Sequence, residues 1–295
     1  MDNLENILSQ YWGYDSFRPL QKEIIESELR GKDTLALLPT GGGKSICYQV
    51  PALAKDGMCI VISPLIALMK DQVEALHRKD IRAAAIYTGM PFPQVKDILQ
   101  MAVNDQLKFL YVSPERLETK LFLEYLPGMN VQLIAVDEAH CISQWGYDFR
   151  PSYLKIKELR NELRNVPVLA VTASATPIVQ DDICNQLQFR NHHIYKGSFL
   201  RPNVSFSVFK VESRINKIVQ ILSNVQGCAI VYCKSRKMTQ ETAHLLQLQH
   251  ISADYYHAGL SKDIREKTQN DFIKDELQIV VATIAFDSSK CFTCF

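Results

Sequence analysis

A short glycine-rich segment near the N-terminus has the residue types needed to bind phosphate. The segment Thr40-Gly-Gly-Gly-Lys-Ser45 follows an apolar run and precedes a helix-like stretch. Consecutive glycines let backbone N–H groups turn towards one anion without a Cβ clash, and the following helix adds the positive end of its dipole. Lys44 can contact the β- and γ-phosphates, and Ser45 can offer a hydroxyl to Mg²⁺. The sequence therefore predicts a nucleotide-phosphate loop made of Thr40, Gly41, Gly42, Gly43, Lys44 and Ser45.

The loop departs from the strict GxxxxGK pattern at one position, where Leu38 replaces the first glycine. A glycine-rich turn that binds nothing is the alternative interpretation. The order of strand, glycines, Lys-Ser and helix favours the phosphate site, because each of these parts has a role in binding an anion.

Two carboxylates at the end of another apolar run could hold a metal ion and activate water. Residues 133–136 are followed by Asp137-Glu-Ala-His140, and ligands of parallel sheets bind at the carboxyl ends of the strands. Asp137 is placed to hold Mg²⁺ together with Ser45, and Glu138 to orient or deprotonate the attacking water. An isolated Asp-Glu pair is typical of a solvated loop. Together with the phosphate loop it predicts a nucleoside triphosphatase whose catalytic candidates are Lys44, Asp137, Glu138 and His140.

Positioning these groups requires strands that end at one edge of a sheet. Short runs rich in Val, Ile and Leu predict strands buried on both faces, and helix-like spacing separates them at 65–79 and 153–163. This alternation predicts an α/β fold with parallel sheets flanked by helices. The predicted strands are 34–38, 59–63, 109–113, 133–136, 168–172, 228–232 and 278–282.

The rhythm breaks at residues 197–203 and then restarts, with a helix expected near 235–248. We therefore predict an α/β domain over 1–200, a linker over 201–207 and a second α/β domain over 208–295.

Composition narrows the class of protein. The 295 residues leave room for about two domains, and 33 basic against 32 acidic residues give a net charge of +1. This balance excludes a wholly basic nucleic-acid-coating protein but permits a local basic groove. The sequence contains no membrane-spanning run or secretory signal, and eight scattered cysteines suit a reducing compartment, so we expect a cytoplasmic protein. Cys291 and Cys294 form a CxxC without a second pair, so no zinc is expected.

Several blocks in order resemble the RecQ DNA helicases, which belong to the superfamily with DEAH boxes. The box itself is followed by an aromatic-rich loop at 141–151, and the match extends from residue 4 to 286. The other blocks that carry the resemblance are 14–21, 63–72, 111–116, 171–176, 230–235, 256–259 and 281–286.

The resemblance implies two RecA-like P-loop domains that use ATP and Mg²⁺. It also implies movement 3′ to 5′ along single-stranded DNA and unwinding of partly duplex DNA, in DNA repair and recombination. It assigns adenine recognition to Tyr14, Arg18 and Gln21. A flat tyrosine can stack on a base, and an amide that donates and accepts suits the edge of adenine. Without the family, Tyr14 and Phe17 would be interpreted as helix-packing residues.

The resemblance also implies residues that contact nucleic acid or couple it to the nucleotide. Trp145, Tyr147 and Phe149 alternate with polar residues and could stack on unpaired bases, although a core cluster is the alternative. Lys70 and Arg116 could meet phosphates or simply be solvated, and His257 could be a packed loop histidine. The full expected set is Ser63, Lys70, Ser113, Gln144, Trp145, Phe149, Arg150, Thr172, Thr176, His257 and Thr283.

The family pattern is lost after Phe286. We therefore expect the second RecA-like domain to be incomplete. ATP turnover should be impaired, because the family's arginine that contacts the γ-phosphate would be missing. A frameshift or a truncation is the expected cause of the altered ending. A non-catalytic ATP- or DNA-binding fragment is one alternative function. A P-loop enzyme acting on RNA or a small molecule is another.

Overall fold

The computed structural model describes residues 4–198, 204–225, 227–283 and 286, without the side chain of Lys262. The chain divides into two compact units, Met1–Pro202 and Asn203–Phe295. In the part of the chain that the structure describes, no helix has both the length and the apolar character needed to cross a membrane.

The first unit is built on a parallel sheet of seven strands in the order β3-β4-β2-β5-β6-β1-β7. β1, β2, β4 and β6 are fully buried, as apolar runs covered on both faces should be. The strands are β1 Thr34–Leu37, β2 Met58–Ile62, β3 Ala83–Ile86, β4 Phe109–Val112, β5 Val131–Val136, β6 Val168–Thr172 and β7 His193–Lys196.

Helices cover both faces of this sheet, because successive strand residues point to opposite sides. In β2, Ile60 and Ile62 pack with Leu99 in one core cluster, whereas Val61 packs with Tyr48 in the other. The helices are α1 Leu4–Trp12, α2 Gln21–Leu29, α3 Ile46–Ala54, α4 Ile66–His77, α5 Phe92–Val103, α6 Lys120–Tyr125, α7 Ile156–Glu162 and α8 Pro177–Gln186. Short 3₁₀ turns lie at Pro114–Arg116, Leu126–Gly128, Ala139–Ile142 and Pro151–Lys155.

The buried carboxylate of Asp33, just before β1, forms hydrogen bonds to residues far away in the sequence of the first unit. Asp33 Oδ1 accepts a hydrogen bond from the backbone N–H of Val168 at 2.9 Å. Its Oδ2 accepts from the Arg160 guanidinium of α7 and, at 2.7 Å, from the backbone N–H of Arg190. Both Asp33 and Arg160 are buried, so this carboxylate joins β1, β6, α7 and the chain leading into β7.

The second unit contains a parallel sheet in the order β8-β10-β9. Its strands are β8 Ala229–Tyr232, β9 Ala253–Tyr256 and β10 Ile279–Ala282, and its helices are α9 Arg214–Asn224, α10 Arg236–Gln247 and α11 Lys262–Ile273. Buried Ala243 and Leu246 of α10 pack against Val281. This is the same strand-and-helix rhythm as in the first unit.

The predicted α/β class with parallel sheets is confirmed, and all seven predicted strands are present with ends shifted by up to two residues. Two strands of the first sheet were missed. β3 is Ala-Ala-Ala-Ile and has weak strand propensity, and β7 is a polar edge strand, so neither resembles an apolar run. The helix predicted over 153–163 begins as a 3₁₀ turn and becomes α-helical at Ile156. The CxxC cysteines lie outside the described residues.

Candidate functional site

The glycine-rich loop connects β1 to α3 and has a backbone that only glycine adopts readily. Gly41 and Gly43 have φ of +77° and +74°, in the left-handed region. A Cβ on Gly42 would lie 2.8 Å from the carbonyl oxygen of Pro39, and one on Gly43 would collide with the Gln21 amide nitrogen. Side chains at these positions would therefore distort the loop, which is the property expected of a backbone cradle for an anion.

The segment before α2 holds this loop from the other side. Gln21 Nε2 donates to the carbonyl oxygens of Gly42 at 3.1 Å and Gly43 at 3.2 Å, and Gln21 Oε1 accepts from the backbone N–H of Arg18 at 3.0 Å. The Arg18 guanidinium donates to the carbonyl oxygen of Gly41. The predicted adenine residues Arg18 and Gln21 thus contact the phosphate loop directly, while Tyr14 is exposed.

The acidic box lies at the carboxyl end of β5, and β6 alone separates β5 from β1 in the sheet. Asp137 Oδ1 accepts the backbone N–H of Glu138 at 3.0 Å, and the carbonyl oxygen of Asp137 accepts the hydroxyl of Tyr153 at 2.9 Å. Glu138 has φ 46° and ψ 48°, a left-handed conformation that costs about 1–3 kcal/mol for a residue with a side chain. Strain of this kind is held by the surroundings and is typical of functional positions.

Two side chains, those of Lys44 and His140, converge on the Glu138 carboxylate. Lys44 Nζ lies 3.8 Å from Glu138 Oε1, and His140 Nδ1 lies 3.3 Å from Glu138 Oε2. Burial acts to raise the pKa of Glu138, but the hydrogen bond from His140 and the charge of Lys44 outweigh it, so the pKa is lowered. Glu138 is therefore ionised at neutral pH and can accept a proton.

Asp137 has the opposite electrostatic surroundings. Burial, followed by the neighbouring charge of Glu138, raises the pKa of Asp137 to about 6. A buried carboxylate with this pKa gains from a nearby cation, and its oxygen is a ligand type that Mg²⁺ prefers. Asp137 and the hydroxyl of Ser45 at the start of α3 are the residues that could hold such an ion.

His140 joins the acidic box to the end of β6. Its Nδ1 lies 2.9 Å from Thr172 Oγ1, which also accepts the backbone N–H of Ser174 at 3.3 Å. Thr176 caps α8, since its hydroxyl accepts the backbone N–H of Val179 at 3.5 Å. The structure thus connects Thr172 to the acidic box and gives Thr176 a role in starting a helix.

The loop after the acidic box presents aromatic side chains to solvent. Trp145 is 73% exposed and Tyr147 is fully exposed, so the core-cluster alternative is wrong for these two residues. Gln144 is also exposed, and Phe149 is half-buried. Arg150 donates to Asp148 Oδ2 at 3.1 Å and to the carbonyl oxygen of Pro64 at 3.0 Å, which fastens the end of the loop to the residue after Ser63.

Two serines follow the neighbouring strands β2 and β4, at the same edge of the sheet. Ser63 and Ser113 are buried, and neither hydroxyl has a hydrogen-bond partner among the described residues. Because an unpaired buried hydroxyl is costly, this pair is suited to a ligand that supplies hydrogen-bond partners. Lys70 stacks over the ring of Tyr87, with Nζ 4.9 Å from its centroid. Arg116 donates hydrogen bonds to the backbone carbonyl oxygens of Tyr87 and Met90, so its guanidinium has a structural role in the first unit.

The two remaining predicted residues belong to the second unit. His257 is buried, with Nε2 3.4 Å from Gln240 Nε2 and with Nδ1 lacking a hydrogen-bond partner in the described part of the chain. The backbone N–H of Thr283, which follows β10, donates to the carbonyl oxygen of Tyr256 at 3.1 Å.

Sequence reasoning missed Tyr153 as a contributor to the first-unit site. Its buried hydroxyl fixes the backbone of Asp137 from 16 positions away, yet in the sequence it is one residue of a helix-like stretch. No spacing signal marks it, because the contact depends on how the 3₁₀ turn packs under the acidic box.

Comparison with protein families gives two matches. Residues 18–183 match the DEAD/DEAH box helicase family, and residues 213–289 match the helicase conserved C-terminal domain. The first match covers the phosphate loop, the acidic box and the segment that ends in α8.

Several curated relatives match almost the whole chain, and two of them illustrate the range. An ATP-dependent DNA helicase RecQ of Haemophilus influenzae is 42% identical over 95% of this chain and 46% of its own length. A putative ATP-dependent RNA helicase R290 of Acanthamoeba polyphaga mimivirus is 42% identical over 96% of this chain and 52% of its own length. The chain thus spans about half the length of these relatives.

A solved structure shares the fold. The DUF1998 helicase MrfA bound to DNA and AMPPNP matches with a TM-score of 0.71 over 97% of this chain and 44% of its own, at 17% sequence identity. At this identity the likeness concerns the fold.

Proposed function

Because this chain belongs to the DEAD/DEAH box helicase family and has RecQ helicases among its relatives, we propose that it carries the motor of an ATP-dependent 3′–5′ DNA helicase of the RecQ type. The observation that carries the proposal is the convergence of Lys44 and His140 on the Glu138 carboxylate. It brings the phosphate-binding lysine to the carboxylate that would activate water. The proposed domains are 1–200 and 208–295, joined by a linker at 201–207.

In the proposed reaction the loop of residues 40–45 binds the phosphates of ATP through backbone N–H groups and Lys44. Nucleotide entry would exchange the bonds from Arg18 and Gln21 to the loop for bonds to ATP, with Tyr14 stacking on the base. Mg²⁺ held by Ser45 and Asp137 would neutralise phosphate charge when bound. Glu138 would orient the attacking water and accept its proton.

The proposed nucleic-acid surface follows the carboxyl edge of the first sheet. The unpaired hydroxyls of Ser63 and Ser113 suit phosphate or sugar oxygens, which carry no sequence information. Exposed Trp145 and its neighbours offer stacking surfaces for unpaired bases. His140 and Thr172 would relay the state of the aromatic loop to Glu138. The other proposed nucleic-acid or coupling residues of the first unit are Lys70, Gln144, Phe149, Arg150 and Thr176. His257 and Thr283 are the proposed contributors of the second unit.

A steady-state ATPase assay with and without single-stranded DNA tests the proposal. We expect DNA to stimulate phosphate release and Lys44→Ala to lower the stimulated rate by at least about 100-fold, the scale of losing one preorganised charge-stabilising donor. Lys157→Ala is the matched control, because that lysine is exposed on α7. Stimulation by RNA but not DNA would overturn the DNA assignment, and no hydrolysis with either would favour a non-catalytic nucleotide-binding fragment.

Trp145→Ala is expected to weaken binding of single-stranded DNA by about 5- to 150-fold, corresponding to about 1–3 kcal/mol for one lost base stack. Fluorescence anisotropy of a labelled oligonucleotide at fixed salt measures this loss. Phe92→Ala is the control, because Phe92 is an exposed aromatic residue on α5, outside the loop. Equal affinities of the Trp145 and Phe92 variants would remove the aromatic loop from the proposed interface.

A further inference from the structure

Three side chains of different chemistry converge beside the acidic box. His140, Cys141 and Asp148 each offer one ligand atom, and these atoms all lie within 4.8 Å of one another. Cys141 Sγ is 3.8 Å from His140 Nε2 and 3.6 Å from Asp148 Oδ2. Imidazole, thiol and carboxylate together are ligands typical of zinc rather than magnesium.

The distances from Cys141 Sγ to the other two ligand atoms are close to those of a tetrahedral zinc site. Zinc bonds of about 2.3 Å to sulfur and about 2.0–2.2 Å to nitrogen or oxygen place neighbouring ligand atoms roughly 3.3–3.6 Å apart. Cys141 Sγ lies 3.6 Å from Asp148 Oδ2, within this range, and 3.8 Å from His140 Nε2, slightly beyond it, while no separation in the group exceeds 4.8 Å. Side-chain rotations that shorten the separation of His140 and Asp148, which is at most 4.8 Å, would bring the three residues into a ligand geometry.

The supporting contacts already orient the ligands. His140 Nδ1 faces Thr172 Oγ1 and the Glu138 carboxylate, which leaves Nε2 directed towards Cys141. A metal-bound histidine ordinarily donates its other N–H to such a carboxylate. Asp148 is held by Arg150 through Oδ2 at 3.1 Å, as ligating carboxylates commonly are.

The site is open on one side. Cys141 is buried and His140 is partly buried, whereas the Asp148 side chain is 54% exposed. A cation could therefore enter past Asp148, and water could take the fourth position. This combination of a buried soft ligand and an open coordination position suits an exchangeable ion.

We propose that His140 Nε2, Cys141 Sγ and Asp148 Oδ2 bind a thiol-preferring divalent cation such as Zn²⁺. On binding, the Cys141 thiol loses its proton to solvent and the thiolate becomes a ligand. The proposal replaces the expectation of no zinc that was based on the isolated Cys291 and Cys294 pair.

A bound ion would connect the aromatic loop to the catalytic carboxylate. It would tie Asp148 to His140, whose ring contacts Glu138 and Thr172. If the proposed function holds, bound zinc restrains residues 141–150 and slows DNA-stimulated ATP hydrolysis at saturating Mg²⁺. This consequence rests on the proposed function. The metal site itself depends on geometry alone.

Metal binding is measured on the full chain carrying Cys291→Ser and Cys294→Ser, which removes the CxxC thiols. Equilibrium dialysis with Zn²⁺ should find one bound ion per chain, and Co²⁺ should produce a thiolate-to-metal charge-transfer absorption. Losing an outer-shell partner already weakens metal affinity about 10- to 100-fold. Cys141→Ser and Asp148→Asn, which remove ligands, should each weaken it at least about 100-fold.

Cys228→Ser is the matched control, because Cys228 is an exposed free thiol, and it should leave metal affinity unchanged. If Cys141→Ser does not fold, Asp148→Asn tests the site instead, because it changes a largely exposed side chain. Undiminished binding by folded Asp148→Asn, or no charge-transfer band with the parent chain, overturns the site.

The regulatory consequence has a separate readout. Zinc should lower the DNA-stimulated ATPase rate of the parent chain, and Asp148→Asn should lose this sensitivity. Equal zinc sensitivity in both chains would overturn the restraint on the loop. A chain without ATPase activity in the absence of zinc would instead overturn the proposed function, and metal binding would still be decided by dialysis.

Discussion

Replacing Glu138 by glutamine is expected to lower kcat for ATP hydrolysis by about 10²–10⁴-fold while leaving ATP binding intact, because this is the usual contribution of a general base. Glutamine has nearly the same shape and can keep the strained backbone at this position, but it cannot accept the proton of water. The neighbouring phosphate loop and Asp137 are unchanged, so the nucleotide would still be held.

The electrostatics of Glu138 support this expectation. Lys44 and His140 keep its pKa lowered despite burial, so the carboxylate is ionised where the reaction needs it. Removing the charge at Glu138 also releases Lys44 from a 3.8 Å contact, which leaves the ammonium free for phosphate. ATP affinity should therefore stay the same or increase.

Single-turnover hydrolysis and binding of a fluorescent ATP analogue separate these two effects. Glu74→Gln is the matched control, because Glu74 on α4 forms an exposed ion pair with Arg78, the residue after the helix. A Glu138→Gln variant that hydrolyses ATP within about threefold of the parent rate would show that another group activates water. Loss of ATP affinity equal to the loss of rate would assign Glu138 to binding instead.

Replacing Asp33 by alanine is expected to reduce the free energy of unfolding of the first unit by about 3–5 kcal/mol, the cost of removing one partner from a buried ion pair. Three groups lose their acceptor at once: the Arg160 guanidinium and the backbone N–H groups of Val168 and Arg190. The guanidinium then stays buried without a counter-charge, which is the larger part of the cost.

Urea denaturation followed by tryptophan fluorescence measures this change, because both Trp12 and Trp145 belong to the first unit. Glu26→Ala breaks an exposed ion pair with Arg30 and should cost less than about 1 kcal/mol. The double variant Asp33→Ala with Arg160→Met should recover part of the loss, since it removes the unpaired charge. An Asp33→Ala loss no larger than that of Glu26→Ala would contradict the role assigned to this carboxylate.

Local patterns were sufficient where one physical effect dominates. The runs at 59–63 and 168–172 became buried strands because continuous β-branched and aliphatic residues fit a sheet covered on both faces. They were insufficient at β3 and β7. Alanines carry little strand preference, and β7 gains its stability from pairing with β1, which lies more than 150 positions earlier in the chain.

The candidate site shows the same division. The phosphate loop and the acidic box are recognisable because glycine conformation and strand-end carboxylates are local properties. The Gln21 amide was expected to face adenine, and the structure adds its two hydrogen bonds to loop carbonyl oxygens. No sequence spacing indicates that contact, because it depends on how α2 packs beside the loop.

By itself, the sequence determined which groups are available and at which strand ends they occur: glycines that permit the loop, Lys44 and Ser45 after it, and Asp137 and Glu138 after β5. The tertiary structure alone decided which of them meet. The order β5-β6-β1 brings Lys44 to Glu138 and sets Thr172 under His140, and the pairing of β2 with β4 aligns Ser63 with Ser113. The packing of the loop after the box brings Cys141 to Asp148. The physical reason is that side-chain periodicity reports burial within one element, whereas strand order arises from the packing of the whole sheet.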